Sequence, residues 1–381
     1  MRIPLSSPDI SNAEIDAVVD VLRSPNLSLG PKLAEFEQTI SRYAGTRYAV
    51  AVNSGTSGLH LCVRALDLKE GDEVITTPFS FIASANVMLY ERAVPVFVDI
   101  DPLTLNIDPS KIEAALTPRT RAIMIVHVFG RPSPMREIEA IAQRHNLKII
   151  EDACEALGAE YEGQMAGSIG EAGVFAFYPN KQITTGEGGV VVTNSRRVYE
   201  RVRLQRNHGR DPRSEWFEHV ELGYNYRLSD INCALGIEQV KRIEGILHSR
   251  EQIADRYRER LGSNTELILP QPVFPGGRIS WFVYVVRLAE HFQRHQRDWI
   301  INQLKSVGIG CGRYFAPIHL QPLYKKMFGY TEGDFPITET TANRAIALPF
   351  FNKLTEGEQD EVCSRLTTLI QSSTTKFHSR L

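Results

Sequence analysis

GVFAFYPNKQITTGEGGVVVTN, residues 173–194, holds two short runs rich in Val and Phe with a polar, glycine-rich turn between them. The runs, 173–178 and 189–193, read as neighbouring β-strands, because alternating β-branched and aromatic side chains suit a pleated surface. The turn carries one basic residue, Lys181, followed by Thr184, Thr185, Gly186, Gly188 and Gly189. Glycines there permit tight backbone paths close to a ligand. A lysine held between two strands among apolar residues is expected to lose part of its hydration, which favours the neutral amine that attacks a carbonyl. A lone loop lysine is more often solvated and inert, so the rest of the chain must decide between the two.

Working outward toward the N-terminus, the pattern alternates. Ser11 and Glu14 form a capping box for a first helix, and Leu33, Phe36 and Ile40 mark one face of a second, over about 31–43. Strand-like runs at 48–52, 73–77, 94–100, 121–128 and 148–151 are then separated by helical stretches at 54–66, 80–92, 109–116 and 134–145. Such alternation predicts βαβ units and a mostly parallel α/β sheet with helices on both faces. In sheets of that kind ligands bind at the carboxyl ends of the strands, so residues just past each strand matter most. Four candidates lie there. Ser54-Gly55-Thr56-Ser57 leads from a strand into a helix and would aim backbone N–H groups and the positive helix end at a phosphate, although it reads equally as a plain N-cap. Phe81 follows the next strand. His127 ends another and fits a hydrogen-bonded core histidine as well as a ligand. Asp152 closes the buried run KIIED, as a functional carboxylate or as a cap for the next turn.

Toward the C-terminus the character changes. A basic helix over 196–206 leads through RNHGRDP to a helix that Ser229 would start and that reads as continuous over 229–261, long enough to bridge two units. Residues 267–277 are rich in Pro and Gly, after which a strand at 281–288, a helix at 298–307, a strand at 310–315 and a helix at 355–370 suggest a smaller α+β unit. We therefore divide the chain into a large unit, 1–245, and a small one, 246–381, and expect the tail after Gln371 to be disordered.

Composition limits the partners. Across 381 residues, 43 basic and 45 acidic side chains leave a net charge of −2, too little for a nucleic-acid or anionic-membrane field. The five cysteines are scattered with no C-x-x-C pair, ten histidines show no metal-ligand spacing, and no apolar run approaches the ~20 residues of a membrane span. The N-terminus lacks a signal-peptide core. These features predict a cytoplasmic protein with no metal, acting on small molecules and associating with copies of itself.

A phosphate cradle, a carboxylate and a lysine at strand ends of a large α/β unit are the parts that pyridoxal 5'-phosphate requires. The motifs SGTSGLHL (54–61), TPFSFIASANV (77–87), EDACEALGAEYEG (151–163), NKQITTGEGG (180–189), RNHGRD (206–211), LGYNYRLSDINCALG (222–236) and YFAPIHLQPLY (314–324), in that order and spacing, resemble the DegT/StrS group of nucleotide-sugar aminotransferases. The resemblance covers nearly the whole chain, and perosamine-synthase-like activity is the nearest reading it implies. It implies a fold-type I pyridoxal-phosphate enzyme in which Lys181 is similar to the Schiff-base lysine and Asp152 to the partner of the pyridine nitrogen. Gly55, Thr56 and Ser57 match the phosphate turn, Phe81 the aromatic residue stacked on the cofactor ring, Glu155 the polar residue near the ring hydroxyl, and Asn225 a phosphate ligand lent by the other subunit of a homodimer. Glutamate would donate the amino group to a keto sugar on a nucleotide diphosphate, most closely a 4-keto-6-deoxyhexose. Amination at C3, an amino-cyclitol acceptor, or a cofactor-binding regulator without turnover are the alternatives. Two positions depart from the common pattern: Ala176 replaces a serine that would touch the phosphate, and Glu155 replaces glutamine or histidine. Arg313, Trp281 and His319 are candidates for the sugar pocket, with packing or surface roles equally open.

Overall fold

The computed structural model describes residues 1–211, 218–271 and 276–378. Its main sheet has seven strands: β1 Tyr48–Val52, β2 Glu73–Thr76, β3 Val94–Phe97, β4 Thr120–Val126, β5 Lys148–Asp152, β6 Ala172–Ala176 and β7 Gly189–Thr193. They lie in the order β1-β7-β6-β5-β4-β2-β3. Only β7 runs against the others, paired antiparallel to β1 and β6, while the remaining neighbours are parallel. Their continuous apolar runs follow from burial on both faces.

One face packs on α3 (Gly55–Ala65), α4 (Ala83–Tyr90) and α6 (Arg196–Arg206) through Leu59, Val87, Met88 and Val202. The other packs on α2 (Pro31–Ala44) and α7 (Asp230–Lys241), with Phe36, Ile40 and Ile237 against Phe175 and Val190, and on α5 (Met135–His145) through Ile138 and Ile141. The first helix, α1 (Asn12–Arg23), carries the capping box of Ser11 and Glu14. Beyond α8 (Ile243–Leu261), a three-stranded antiparallel sheet of β8 (Leu267–Ile268), β9 (Tyr284–Leu288) and β10 (Ala345–Leu348) builds a second core with α9 (Arg294–Ser306) and α10 (Glu356–His378). The N-terminus crosses to this core, where Ile3 bridges Ile309 and is fully buried.

Several expectations need correcting. The span 229–261 is two helices, broken at Arg242, whose φ of −101° and ψ of 1° leave the helical region. Neither glycine nor proline causes the break. Arg242 instead reaches Asp9 at 3.1 Å and Glu14 at 3.2 Å, so contacts distant in sequence set the bend. Residues 109–116 form two three-residue 3₁₀ turns, the first capped by Asp108, rather than a helix. Within 310–315 only Gly312 bridges Ala347, because this segment pairs with the N-terminal chain, Gly310 donating to the Ile3 carbonyl at 2.7 Å. The tail after Gln371 continues α10 to His378, with the Phe377 ring 4.9 Å from His295 and 6.2 Å from Trp299. The last three residues lie outside those described.

Candidate active site

At the carboxyl edge of the main sheet, side chains from seven segments converge on a cavity of about 590 Å³, within the usual range for a small-molecule site. Its floor is the start of α3. Ser54 is the N-cap, its Oγ accepting from Ser57 N–H at 3.1 Å, and Ser57 Oγ donates to Asn53 Oδ1 at 2.6 Å. The N-cap reading of SGTS is thus met by Ser54, while Ser54, Gly55 and Thr56 line the cavity. Ser57 is buried and does not line it. A Cβ at Gly55 would stand 2.8 Å from that of Ala176 and 2.9 Å from Cys154 Sγ, and one at Gly189 would come within 2.8 Å of the Ser54–Gly55 peptide. Only glycine lets β7 approach this turn so closely.

Asp152, at the end of β5, is 6 % exposed and accepts from Ser84 Oγ at 2.6 Å and Cys154 N–H at 3.2 Å. Two donors leave part of its acceptor capacity open toward the cavity. Phe81, 61 % exposed, presents an aromatic ring to the same space. Lys181 enters from the β6–β7 connection, and its side chain is only 13 % exposed. The loop is pinned. Gln182 Nε2 donates to the Glu155 carbonyl at 2.6 Å and to Ser280 O and Oγ at 3.0 and 2.9 Å, while Thr184 Oγ1 donates to Phe177 O at 2.9 Å. The solvated-loop reading of Lys181 is thereby excluded: its Nζ lies 3.8 Å from Glu155 Oε1 and 4.2 Å from the centre of the Phe282 ring.

Glu155 is buried and accepts from Phe129 N–H at 2.9 Å. Burial pushes its carboxyl up to about 7, against the lowering pull of Lys181 and the Phe129 N–H. Near neutral pH this group titrates beside the lysine, an arrangement that suits proton exchange at a bound ligand.

The remaining candidates separate cleanly. Arg313 lines the cavity and pairs with Asp298 at 3.1 Å. Trp281 is buried in the second core, and His319 is fully buried and bonded to Glu339 at 3.0 Å, so neither reaches it. His127 is a core histidine, its Nε2 2.9 Å from Glu151 Oε2 and its Nδ1 accepting from Ser133 N–H at 3.0 Å. Asn225 is exposed and does not line the cavity of its own chain. Sequence reasoning missed Tyr178, Asn180, Phe282 and Tyr314, all in the lining. Tyr178 and Asn180 flank Pro179 just before the lysine, and that adjacency was the available signal. Phe282 and Tyr314 lie outside the main-sheet segments: Tyr314 opens the motif YFAPIHLQPLY, whereas nothing local marks Phe282.

The sequence model of the DegT/DnrJ/EryC1/StrS aminotransferase family matches residues 8–367. The spore coat polysaccharide biosynthesis protein SpsC of Bacillus subtilis is 38 % identical over 381 residues, covering 97 % of this chain and 98 % of that protein. GDP-perosamine synthase of Caulobacter vibrioides is 38 % identical over 371 residues, with the same coverage of both chains. Among solved structures, the sugar aminotransferase Spr1654 of Streptococcus pneumoniae in its PMP form superposes with a TM-score of 0.95 at 29 % identity, covering 99 % of this chain and 100 % of that one. A match that runs through cradle, carboxylate, lysine and second sheet alike leaves one conclusion, that this chain belongs to the DegT/DnrJ/EryC1/StrS aminotransferase family.

Proposed function

We propose that this enzyme, with pyridoxal 5'-phosphate in the cavity, transfers the amino group of glutamate to a 4-keto-6-deoxyhexose carried on a nucleotide diphosphate. The observation that carries the reading is the convergence of Lys181, Asp152, Glu155, Phe81 and the Ser54–Thr56 turn on one cavity. These residues fit the cofactor: a helix start held open by Gly55 and Gly189 for an anion, an exposed ring for a flat partner, and a buried carboxylate with acceptor capacity to spare. GDP-perosamine synthase among the relatives supports a nucleotide-linked sugar as acceptor.

When bound, pyridoxal phosphate supplies an electron sink for cleavage of a C–H bond at the amino-bearing carbon. The chain's own residues do the rest. Gly55 and Thr56 present first-turn N–H groups at the positive end of α3, which holds a phosphate. Asp152 offers its open oxygen sites to a ring N–H, and Ser84 and Cys154 keep it oriented. Lys181 Nζ, hemmed by Phe282 and Glu155, would hold the cofactor through its aldehyde carbon and would move the proton between the substrate's amino-bearing carbon and the cofactor. Ala176 on the cavity wall offers no hydroxyl to the phosphate, so the turn and a partner chain must hold it.

We also place Asn225 in the site of a second copy, making the active form a homodimer with shared sites. The exposed apolar side chains Phe81, Tyr90, Tyr178, Val220 and Leu222 support this, since two line the cavity and two lie on the segment leading to Asn225. The proposal keeps 1–245 as the cofactor-binding unit and 246–381 as the smaller one. Five unpaired thiols favour a reducing, cytoplasmic setting.

The test is incubation of the purified protein with glutamate and a panel of nucleotide keto sugars, the product being identified by mass spectrometry and NMR. The expected product is a 4-amino-6-deoxyhexose nucleotide with one 2-oxoglutarate formed per amine. Formation of 2-oxoglutarate without amination of any sugar overturns the acceptor, and failure to form it overturns the donor.

A further inference from the structure

Behind the cavity floor lies a polar cluster that the chemistry above does not use. His60, one turn into the body of α3, is 3 % exposed, with Nε2 at 2.9 Å from Glu91 Oε1 and Nδ1 at 3.1 Å from the Tyr226 hydroxyl. Arg64 completes the cluster, bonding the second oxygen of Glu91 at 2.9 Å and standing 5.5 Å over the Tyr224 ring. Because a carboxylate only accepts, Nε2 carries the proton and Nδ1 accepts from Tyr226. Burial also lowers the His60 pKa, which keeps that tautomer neutral. The rings of Tyr224 and Tyr226 stack 4.9 Å apart at 11°, with Asn225 between them in sequence.

A second attachment comes from Asn53, the residue before the cradle. Its N–H donates to Tyr226 O at 2.9 Å, its Nδ2 to Asn225 O at 3.3 Å, and its Oδ1 accepts from Ser57 Oγ at 2.6 Å. The 224–226 segment is thus fastened to α3 at both its backbone and its tyrosine ring. The same helix that carries Gly55 and Thr56 at its start holds, one turn later, the residues on either side of Asn225. Asn225 itself is exposed and does not line its own chain's cavity.

We propose that Asn53, His60 and Tyr226 are positioning residues: they fix the 224–226 segment so that each chain presents Asn225 to the phosphate in its partner's cavity, and they tie the cradle of one site to the residue that completes the other. This rests on the shared-site dimer proposed above. A positioning role of this kind makes one prediction that a general packing role does not, namely that damage appears in the partner's site and not in the chain's own.

Co-expression of two differently tagged chains, purified on both tags, gives defined heterodimers for the test. One chain carries Lys181→Ala together with Tyr226→Phe and the other is wild type, so the only lysine-bearing site draws Asn225 from the altered chain. Tyr226→Phe keeps the ring stack and removes only the hydroxyl. The readout is the affinity of pyridoxal phosphate at that site, measured as the cofactor fixed to Lys181 by borohydride across a titration. Binding should weaken roughly tenfold relative to a heterodimer carrying Lys181→Ala alone, as expected for a misplaced charge-assisted hydrogen bond. The reciprocal heterodimer, with Lys181→Ala in one chain and Tyr226→Phe in the other, should bind as the control does. Weakening in the reciprocal arrangement only, or in neither, overturns the inference. A third heterodimer, with Asn225→Ala in place of Tyr226→Phe, separates the two proposals. If it weakens binding while Tyr226→Phe does not, the positioning role falls and the shared site stands; if it leaves binding at the control value, both fall.

Discussion

Glu151 and Asp152 are neighbours on β5, both carboxylates, both buried, and they do opposite things. Glu151 faces the α5 side and is saturated: His127 Nε2, Gly167 N–H, Ile169 N–H and Gly170 N–H all bond it at 2.6–2.9 Å, and it is 0 % exposed. Asp152 points to the opposite face, accepts from Ser84 Oγ and Cys154 N–H, and lines the cavity. A carboxylate oxygen pair has about four acceptor positions. Filling all of them makes a strut that clamps two strand connections, whereas filling half leaves a group that can still bind something. The number of unfilled positions on a buried carboxylate separates architecture from chemistry better than burial does.

Four experiments bear on this contrast. The largest effect belongs to the cation that shares Asp152's cavity. Lys181→Ala should lower transamination about ten-thousandfold, the loss of a positioned proton carrier, and borohydride should then fix no cofactor to the chain. Fixation on another lysine would remove Lys181 from the site.

Asp152→Asn comes next. The amide still fills the volume and still accepts from Ser84, so the melting temperature should hold, while kcat falls about a thousandfold because the charge facing the ligand is gone. Near wild-type turnover would place Asp152 with Glu151 among the struts.

Glu151→Gln should show the reverse pattern. An amide offers one acceptor oxygen to four donors, so the unfolding free energy should drop by about 3 kcal/mol, since each buried donor left unmet costs about 1–3 kcal/mol. Activity per folded molecule should change little. An unchanged denaturation midpoint would show that the clamp is slack.

Glu155 lies between these extremes, with one backbone donor and a lysine 3.8 Å away. Its folded-state pKa of about 7 exceeds the ordinary glutamate value of 4.5, so the folded protein binds the extra proton between those pH values. Its contribution to stability is therefore present below about 4.5 and lost as pH rises through 7. Glu155→Gln removes that dependence, and the stability of the cofactor-free variant relative to wild type should rise across this window by on the order of 1 kcal/mol. A difference that stays flat with pH would mean that the carboxyl ionises as an exposed one does.

Much of this was legible in the chain itself. The alternation of strand and helix, the glycines beside Lys181 and the SGTS turn are local signals, because side-chain period and backbone freedom are properties of a few consecutive residues. They sufficed for the α/β sheet, the lysine loop and the helix start beside the cavity. The break at Arg242 was not legible, since a good helical pattern was overridden by Asp9 and Glu14, more than 200 positions earlier. The helical tail past Gln371 was misjudged for a similar reason: its polar composition gives no hint that Trp299 and His295 wait to pack Phe377.

Of the candidate site, the residue types came from sequence and their standing came from the fold. KIIED marks Asp152 by its place at the strand's end but gives no sign that Glu151 is saturated, because its donors lie on the 167–170 loop and on His127. YFAPIHLQPLY and its flank named Arg313 and His319 alike, yet only Arg313 faces the cavity, while His319 is sealed against Glu339. Identity and local pattern are written along the chain, and they determined the family, the sheet and the lysine. Which polar group is left unsatisfied, and toward which cavity, depends on partners brought in from elsewhere, and that is settled only when the chain has closed on itself.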